Sequence, residues 1–300
     1  MTVTDLTVVG GGPAGLAAAI AAAGNGLGVV LVEPVALGGQ LVNTATLEDV
    51  EGATTGWDLA VDLADRAQDA GATIVFATAS TVDQDRGFIV RGTGLEVRSG
   101  AVVLATGTRP DGLAVPGADR FVGLGLSDCA ACDGPLFAGA AVVVVGGGDL
   151  ARWEATDLAE TAAHVTVLAP AVGWDPARGL PGNVEVIPGA TLVSIEGAGR
   201  VEGVRYVDRV GGVHELAVAG VFNAMGRSPA PVAAGVALAA NGSIVVDAGL
   251  ATTTPGCFAV GDVRAGSAGR VAGALDDGER VAGAVAAYLA GGGPTGEVVP

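Results

Sequence analysis

The stretch LTVVGGGPAGLAAAIAAAGNGLGVVLVE, residues 6–33, decides how the chain is read. An apolar run leads into a glycine triplet, an Ala-rich segment follows, and a second apolar run ends on Glu33. The short apolar runs read as buried strands, and the Ala-rich segment, opened by Pro13, reads as a helix. The stretch is therefore a βαβ unit with G-x-G-x-x-G at Gly10, Gly12 and Gly15. Glycines there permit a tight turn and let backbone N–H groups approach a pyrophosphate at the helix N-terminus. Glu33, closing the second strand, can accept hydrogen bonds from adenosine ribose hydroxyls.

The pattern returns in AAVVVVGGGDLARWEATDLAETAAHVTVL, residues 140–168, now as G-x-G-x-x-A at Gly146, Gly148 and Ala151, with Asp149 beside the turn. This copy runs on into APAVGWD (169–175) with no carboxylate at the strand end. Strand-rich stretches, 72–104 and 184–222, follow the two copies, with polar turns such as DQDRG and EGAGR. Gly- and Pro-rich segments at 106–120 and 226–235 read as crossings between domains. A helical pattern runs from Arg270 to Leu289 after PGCFAVGDV (255–263). The expectation is an α/β fold of two Rossmann-like, three-layer nucleotide-binding domains, the second inserted into the first. Residues 1–112 and 229–300 would form one domain and residues 113–228 the insert.

Half of the 300 residues are hydrophobic, yet the longest purely apolar runs, such as LAAAIAAA (16–23), fall far short of the ~20 residues of a spanning helix. The start, MTVTDLTVV, lacks the basic opening of a signal peptide, so a soluble cytoplasmic protein is expected. All fifteen basic residues are Arg, and 32 acidic residues bring the net charge to −17. Such a field repels phosphate backbones and excludes nucleic acid as the expected partner.

Two of the three cysteines stand in CAACDG, residues 129–134. A metal knuckle needs a second ligand pair; there is no second CxxC, and His164 and His214 have no ligand spacing, so no metal is expected. A CxxC at a helix start lowers the pKa of its first thiol, which makes Cys129 the expected attacking and exposed sulfur. Two small thiols that merely pack together are the alternative. Cys257, in an apolar run, reads as a core residue.

Six motifs, GGGPAG (10–15), GGQL (38–41), ATG (105–107), CAACDG (129–134), GGGD (146–149) and GDVR (261–264), stand in the order of the low-molecular-weight thioredoxin reductase family, which the chain resembles over nearly its whole length. The resemblance implies FAD in the first domain. Gly10, Gly12, Pro13, Ala14 and Gly15 would cradle its pyrophosphate, and Glu33 would hold the ribose. Gly39, Gln40, Leu41, Thr106 and Gly107 would lie around the flavin, with Asp262 at the ribityl and phosphate region. Asp49 stands where the family has asparagine, and Arg270-Val271 where it has Arg-Gln. The resemblance also implies that Cys132 exchanges electrons with the flavin, that Asp133 moves a proton for the thiols, and that the protein is a homodimer with mobile domains.

The departures from the family concern the electron donor and the partner. NADPH-using members carry HRRxxxR just after the second copy's final strand; here the stretch is APAVGWD, with Asp175 in the place of the last arginine. A 2′-phosphate would meet no guanidinium there, so NADPH is disfavoured. NADH stays open because the glycine turn survives, and Arg152 or Arg178 could supply charge from elsewhere. Leu150 and Trp153 replace a serine and a glutamate of the family's helix. Pro135-Leu136 before Phe137, and Leu124 in an arginine's place, point to a remodelled docking surface. The expected substrate is a small dithiol or disulfide, or a thioredoxin-like protein. Three readings follow. One is a dithiol–disulfide oxidoreductase without NADPH: an oxidase using O₂, or a reductase fed by ferredoxin or a reduced deazaflavin. The second is an NAD(P)H-dependent reductase with a degenerate clamp, and the third a flavin-binding regulator without turnover.

Overall fold

The computed structural model describes residues 2–44, 47, 50, 55–170 and 179–292. The first βαβ unit is β1 (Thr2–Val9), α1 (Pro13–Gly24) and β2 (Val29–Glu33). It is followed by α2 (Gly56–Asp69), β3 (Thr73–Phe76) and a meander of β4 (Thr81–Gln84), β5 (Phe88–Gly92) and β6 (Leu95–Leu104). A short strand, β7 (Thr108–Pro110), leads into α3 (Ala118–Phe121), β8 (Leu126–Ser127) and α4 (Ala130–Asp133). The second βαβ unit is β9 (Ala141–Gly146), α5 (Gly148–Ala159) and β10 (His164–Ala169). Then come β11 (Val184–Pro188), β12 (Thr191–Glu196), β13 (Gly203–Val207), β14 (Val213–Ala217) and β15 (Gly220–Ala224). The chain returns through β16 (Arg227–Pro229) to β17 (Cys257–Ala259) and α6 (Val271–Ala290). Two compact units result: Met1–Arg109 with Ser228–Pro300, and Pro110–Arg227.

In the first unit the strands run β3-β2-β1-β6-β5-β4, with β17 also paired to β6. β3, β2, β1, β6 and β17 are parallel, and the meander is antiparallel. One sheet face, Leu6 and Val8, packs on α1, α2 and α6; the other, Val9, Val30 and Val32, packs on Val82, Phe88 and Val90. These are the three layers expected when buried parallel strands carry helices on one face. α1 has no charged residue and buries Ala14 through Ala19 and Ala22. Gly278 of α6 makes that possible: a Cβ there would lie 2.4 Å from the Ala14 carbonyl oxygen.

The second unit repeats the plan with a parallel sheet, β11-β10-β9-β15-β8, and a separate antiparallel sheet, β12-β13-β14. Val142 and Val144 face α5, whereas Val143 and Val145 face the β12–β14 side. Alternate side chains of one strand thus serve two cores, the two-residue period of a strand buried on both faces.

Candidate functional site

The first unit holds a cleft of about 480 Å³ along the glycine turn between β1 and α1. Its walls include Gly10, Gly12, Pro13 and Ala14, then Glu33, Gly39, Gln40 and Leu41. Thr106, Gly107, Asp262, Arg270 and Val271 close the remaining sides. Gly15 lies beneath the turn instead: a Cβ there would sit 1.9 Å from the Gly10 carbonyl oxygen. Gly10 adopts φ +108°, and a Cβ would meet the Ala105 carbonyl oxygen at 2.4 Å. At Gly12 a Cβ would meet nothing within 4 Å, so this backbone is bare toward the cleft. α1 begins with no side-chain cap and no acidic residue in its first turn. Its free N–H groups therefore favour an anion. Asp49 lies outside the described residues.

Three further observations test whether FAD fits these residues. Glu33 Oε2 accepts from the Gly11 N–H (2.8 Å) and Oε1 from the Val35 N–H (3.1 Å), which fixes the carboxylate at the rim. Each oxygen retains a lone pair for a ribose hydroxyl. The buried Thr106 Oγ1 has no hydrogen-bond partner, a cost that a polar ligand group in the cleft would remove. Asp262 Oδ1 accepts from Ser267 Oγ at 2.7 Å, so the loop holds this carboxylate at the cleft wall. The residues fit the cofactor.

Behind Asp262 sits a group the sequence reading missed. Asp277 of α6, 1% exposed, accepts from the Gly261 N–H (3.0 Å) and takes Arg264 bidentately, Nε to Oδ2 at 2.5 Å and Nη2 to Oδ1 at 2.9 Å. A paired, hydrogen-bonded carboxylate is the form in which a buried charge is tolerated. It ties the GDVR loop to the helix that packs on α1.

In the second unit Cys129 and Cys132 are joined as a disulfide with Cα atoms 5.4 Å apart. Cys129 caps α4, its Sγ accepting the Cys132 N–H at 3.1 Å. The expected exposure is reversed: Cys129 is 5% exposed and Cys132 is the exposed sulfur. Asp133 is half-buried, and its N–H donates to the Cys129 carbonyl. A second group absent from the sequence reading lies against the turn. Glu154 of α5 accepts the Ala130 N–H at 2.6 Å, and burial pushes its carboxyl up to about 7. Phe137 is turned inward, packing edge-on to Phe222, so of the Pro-Leu-Phe ridge only Pro135 and Leu136 stand out.

The second glycine turn is tight, since a Cβ on Gly146 would lie 1.9 Å from the Ala224 carbonyl oxygen. Asp149 is exposed in the first turn of α5, and Ala151 is fully buried. In the first unit Val9 pairs with Val32; in the second, Val145 pairs with Leu168. The position of Glu33 is therefore filled by Ala169, 1% exposed. Residues 171–178, with Asp175 and Arg178, lie outside the described residues.

The remaining candidates are accounted for locally. His164 pairs with Glu185 at 3.5 Å; His214 pairs with Asp208 at 2.7 Å and stacks on Tyr206. Cys257 is fully buried, its thiol pushed up to about 11 by burial. Among the described residues no helix is long and apolar enough to cross a membrane.

One Rossmann-like unit thus carries a cleft shaped like a dinucleotide site, and the other a CxxC disulfide. The chain belongs to the pyridine nucleotide-disulphide oxidoreductase family, whose profile matches residues 4–173 and 178–285, and an NAD(P)-binding profile covers residues 136–212. It is 37% identical over 272 residues to a protein named NADH dehydrogenase from Ferdinandcohnia aciditolerans, covering 86% of this chain and 52% of that one. It is 34% identical over 298 residues to thioredoxin reductase of Treponema pallidum, covering 95% and 97% of the two chains. The crystal structure of Lactococcus lactis thioredoxin reductase superposes with TM-score 0.89 at 27% identity, covering 96% of this chain and 99% of that one. The chain spans about half the length of the first relative and of several others.

Proposed function

We propose that the chain is a cytoplasmic, homodimeric, FAD-dependent dithiol–disulfide oxidoreductase whose second electron partner is not NADPH, and that it oxidises a small dithiol with O₂ as final acceptor. One observation carries the choice of partner. The strand end that would hold the adenosine ribose of a second nucleotide presents buried Ala169, and APAVGWD after it holds no cation for a 2′-phosphate. FAD, when bound, supplies a two-electron carrier able to accept electrons from a dithiol and deliver them to O₂.

The chain's own residues handle the sulfur chemistry. A substrate thiolate attacks Cys132, the exposed sulfur, forming a mixed disulfide and expelling Cys129 as a thiolate. The Cys132 N–H already points at Cys129 Sγ and stabilises the charge that forms there. The second substrate thiol then attacks its partner sulfur, releasing the substrate disulfide and leaving Cys132 reduced. The family resemblance gives Asp133, adjoining Cys132, the role of moving a proton to and from the Cys132 thiol.

A second reading is an NADH-dependent disulfide reductase. The preserved turn at Gly146 and Gly148 favours it, as does the relative named NADH dehydrogenase.

Purified protein, yellow with bound flavin, separates the two readings. Anaerobic bleaching by a dithiol, followed by recolouring with peroxide release in air, is the expected result, and Cys132→Ser abolishes it. Fast bleaching by micromolar NADPH overturns the proposal, and fast bleaching by NADH selects the second reading.

A further inference from the structure

The family resemblance assigns the proton of the cysteine pair to Asp133, but the carboxylate that bonds the CAAC turn comes from a different element. Glu154 Oε2 accepts the N–H of Ala130, the residue after Cys129. That amide belongs to the same turn whose Cys132 N–H points at Cys129 Sγ. A negative charge on Glu154 therefore occupies the donor side of the turn that would otherwise support a thiolate at Cys129.

We propose that Glu154 is a positioning residue of the Cys129–Cys132 pair: it holds Ala130 as a carboxylate while the pair is a disulfide and takes up a proton when the pair is reduced. This rests on the redox reading of the pair. In the exchange with a dithiol, the substrate gives two electrons and two protons and leaves as a disulfide. The Cys129–Cys132 bond breaks; one proton stays on Cys132, Cys129 remains a thiolate, and the second proton goes to Glu154. The turn then carries one negative charge before reduction and one after it.

The surroundings support such a proton. Burial is the largest influence on Glu154, raising its carboxyl. The Ala130 hydrogen bond opposes this, and the charges of Asp157 on its own helix and Asp128 ahead of Cys129 add to it. Among the described residues Arg227 favours the carboxylate. β9, β15 and the Gly134–Phe137 turn, all packed on α5, carry no titratable residue, and α4 brings Asp133. His164 of β10 and Glu185 of β11 pair with each other at the surface. A new thiolate at Cys129 adds a like charge beside a carboxyl already poised near 7, and like charges raise carboxyl pKa values.

If Glu154 binds its proton more tightly in the reduced protein, the equilibrium for reduction by dithiothreitol becomes less favourable as pH rises through about 7. A coupling of one pKa unit makes the fall about tenfold between pH 6 and pH 9. The experiment equilibrates the full-length protein and Glu154→Gln with oxidised and reduced dithiothreitol, reading Cys129 and Cys132 by alkylation and intact mass. Dividing wild type by variant removes the reagent's own titration. A ratio falling about tenfold, with an intermediate fall for Glu154→Asp measured against Glu154→Gln, supports the proposal. A flat ratio overturns it. Should Glu154→Gln fail to fold, reduced-minus-oxidised infrared spectra of the wild type at pH 7.5 decide: a gained protonated-carboxyl band supports uptake, and no gain overturns it. The alkylation readout reports sulfur and not flavin, so failure of the oxidase reading shows separately, as absent bleaching by dithiol.

Discussion

The two βαβ units share a glycine fingerprint and a layer plan, yet among the described residues they differ in what surrounds the turn. In both, the turn's first glycine lies under 2.5 Å from a backbone carbonyl oxygen once a Cβ is built on it. The differences lie around the turn. α1 meets its strand at Gly15 and carries no charge, whereas α5 has Ala151 there, Asp149 in its first turn, and Trp153 65% exposed. β2 ends on Glu33, fixed by the Gly11 N–H; β10 ends on buried Ala169. Opposite the first turn, α6 contributes the Asp277–Arg264 clamp, and among the described residues the second unit has no counterpart of that helix. The strand-end carboxylate and the facing wall are what set the first turn apart.

Substitutions around the two turns put these differences on a scale. Asp277→Ala should cost most, about 3–5 kcal/mol, because it leaves Arg264 partly buried without its partner. Loss of flavin and a lower denaturation midpoint in urea would register it; an unchanged midpoint would mean the clamp is dispensable. Gly15→Ala pushes a methyl into the Gly10 carbonyl and should cost about 3 kcal/mol, roughly 10 °C in melting temperature, with flavin loss. The mirror change, Ala151→Gly, should cost only about 1 kcal/mol and retain flavin. Equal effects of the two would erase the distinction between the turns. Glu33→Gln should be mildest, weakening FAD about tenfold in a fluorescence titration while leaving the melting temperature of the flavin-free protein nearly unchanged.

Both βαβ units and the placing of most cleft residues were legible because short apolar runs, glycine spacing and an Ala-rich helix leave little alternative. Glu154 and Asp277 escaped notice although a signal existed. Each falls on the inward stripe of its helix, Glu154 with Ala151, Ala155 and Leu158, Asp277 with Ala274, Val281 and Val285. A carboxylate at such a position demands a partner. What periodicity does not supply is the partner's identity: Ala130 lies 24 residues from Glu154, and Gly261 lies 16 from Asp277. The inward turn of Cys129 was equally hidden, because spacing tells that a CxxC starts a turn but not which sulfur caps it.

The packing of α6 on α1 also sets an order of events during synthesis. The cleft needs residues 9–14 from one end of the first unit and residues 260–274 from the other. Pairing of β17 with β6 and seating of Gly278 on Ala14 must wait until the intervening second unit has been made. That unit is contiguous in the chain and can fold while the first stands open. The unit that carries the sulfur pair is therefore free to fold before the two ends of the first unit meet around the cleft.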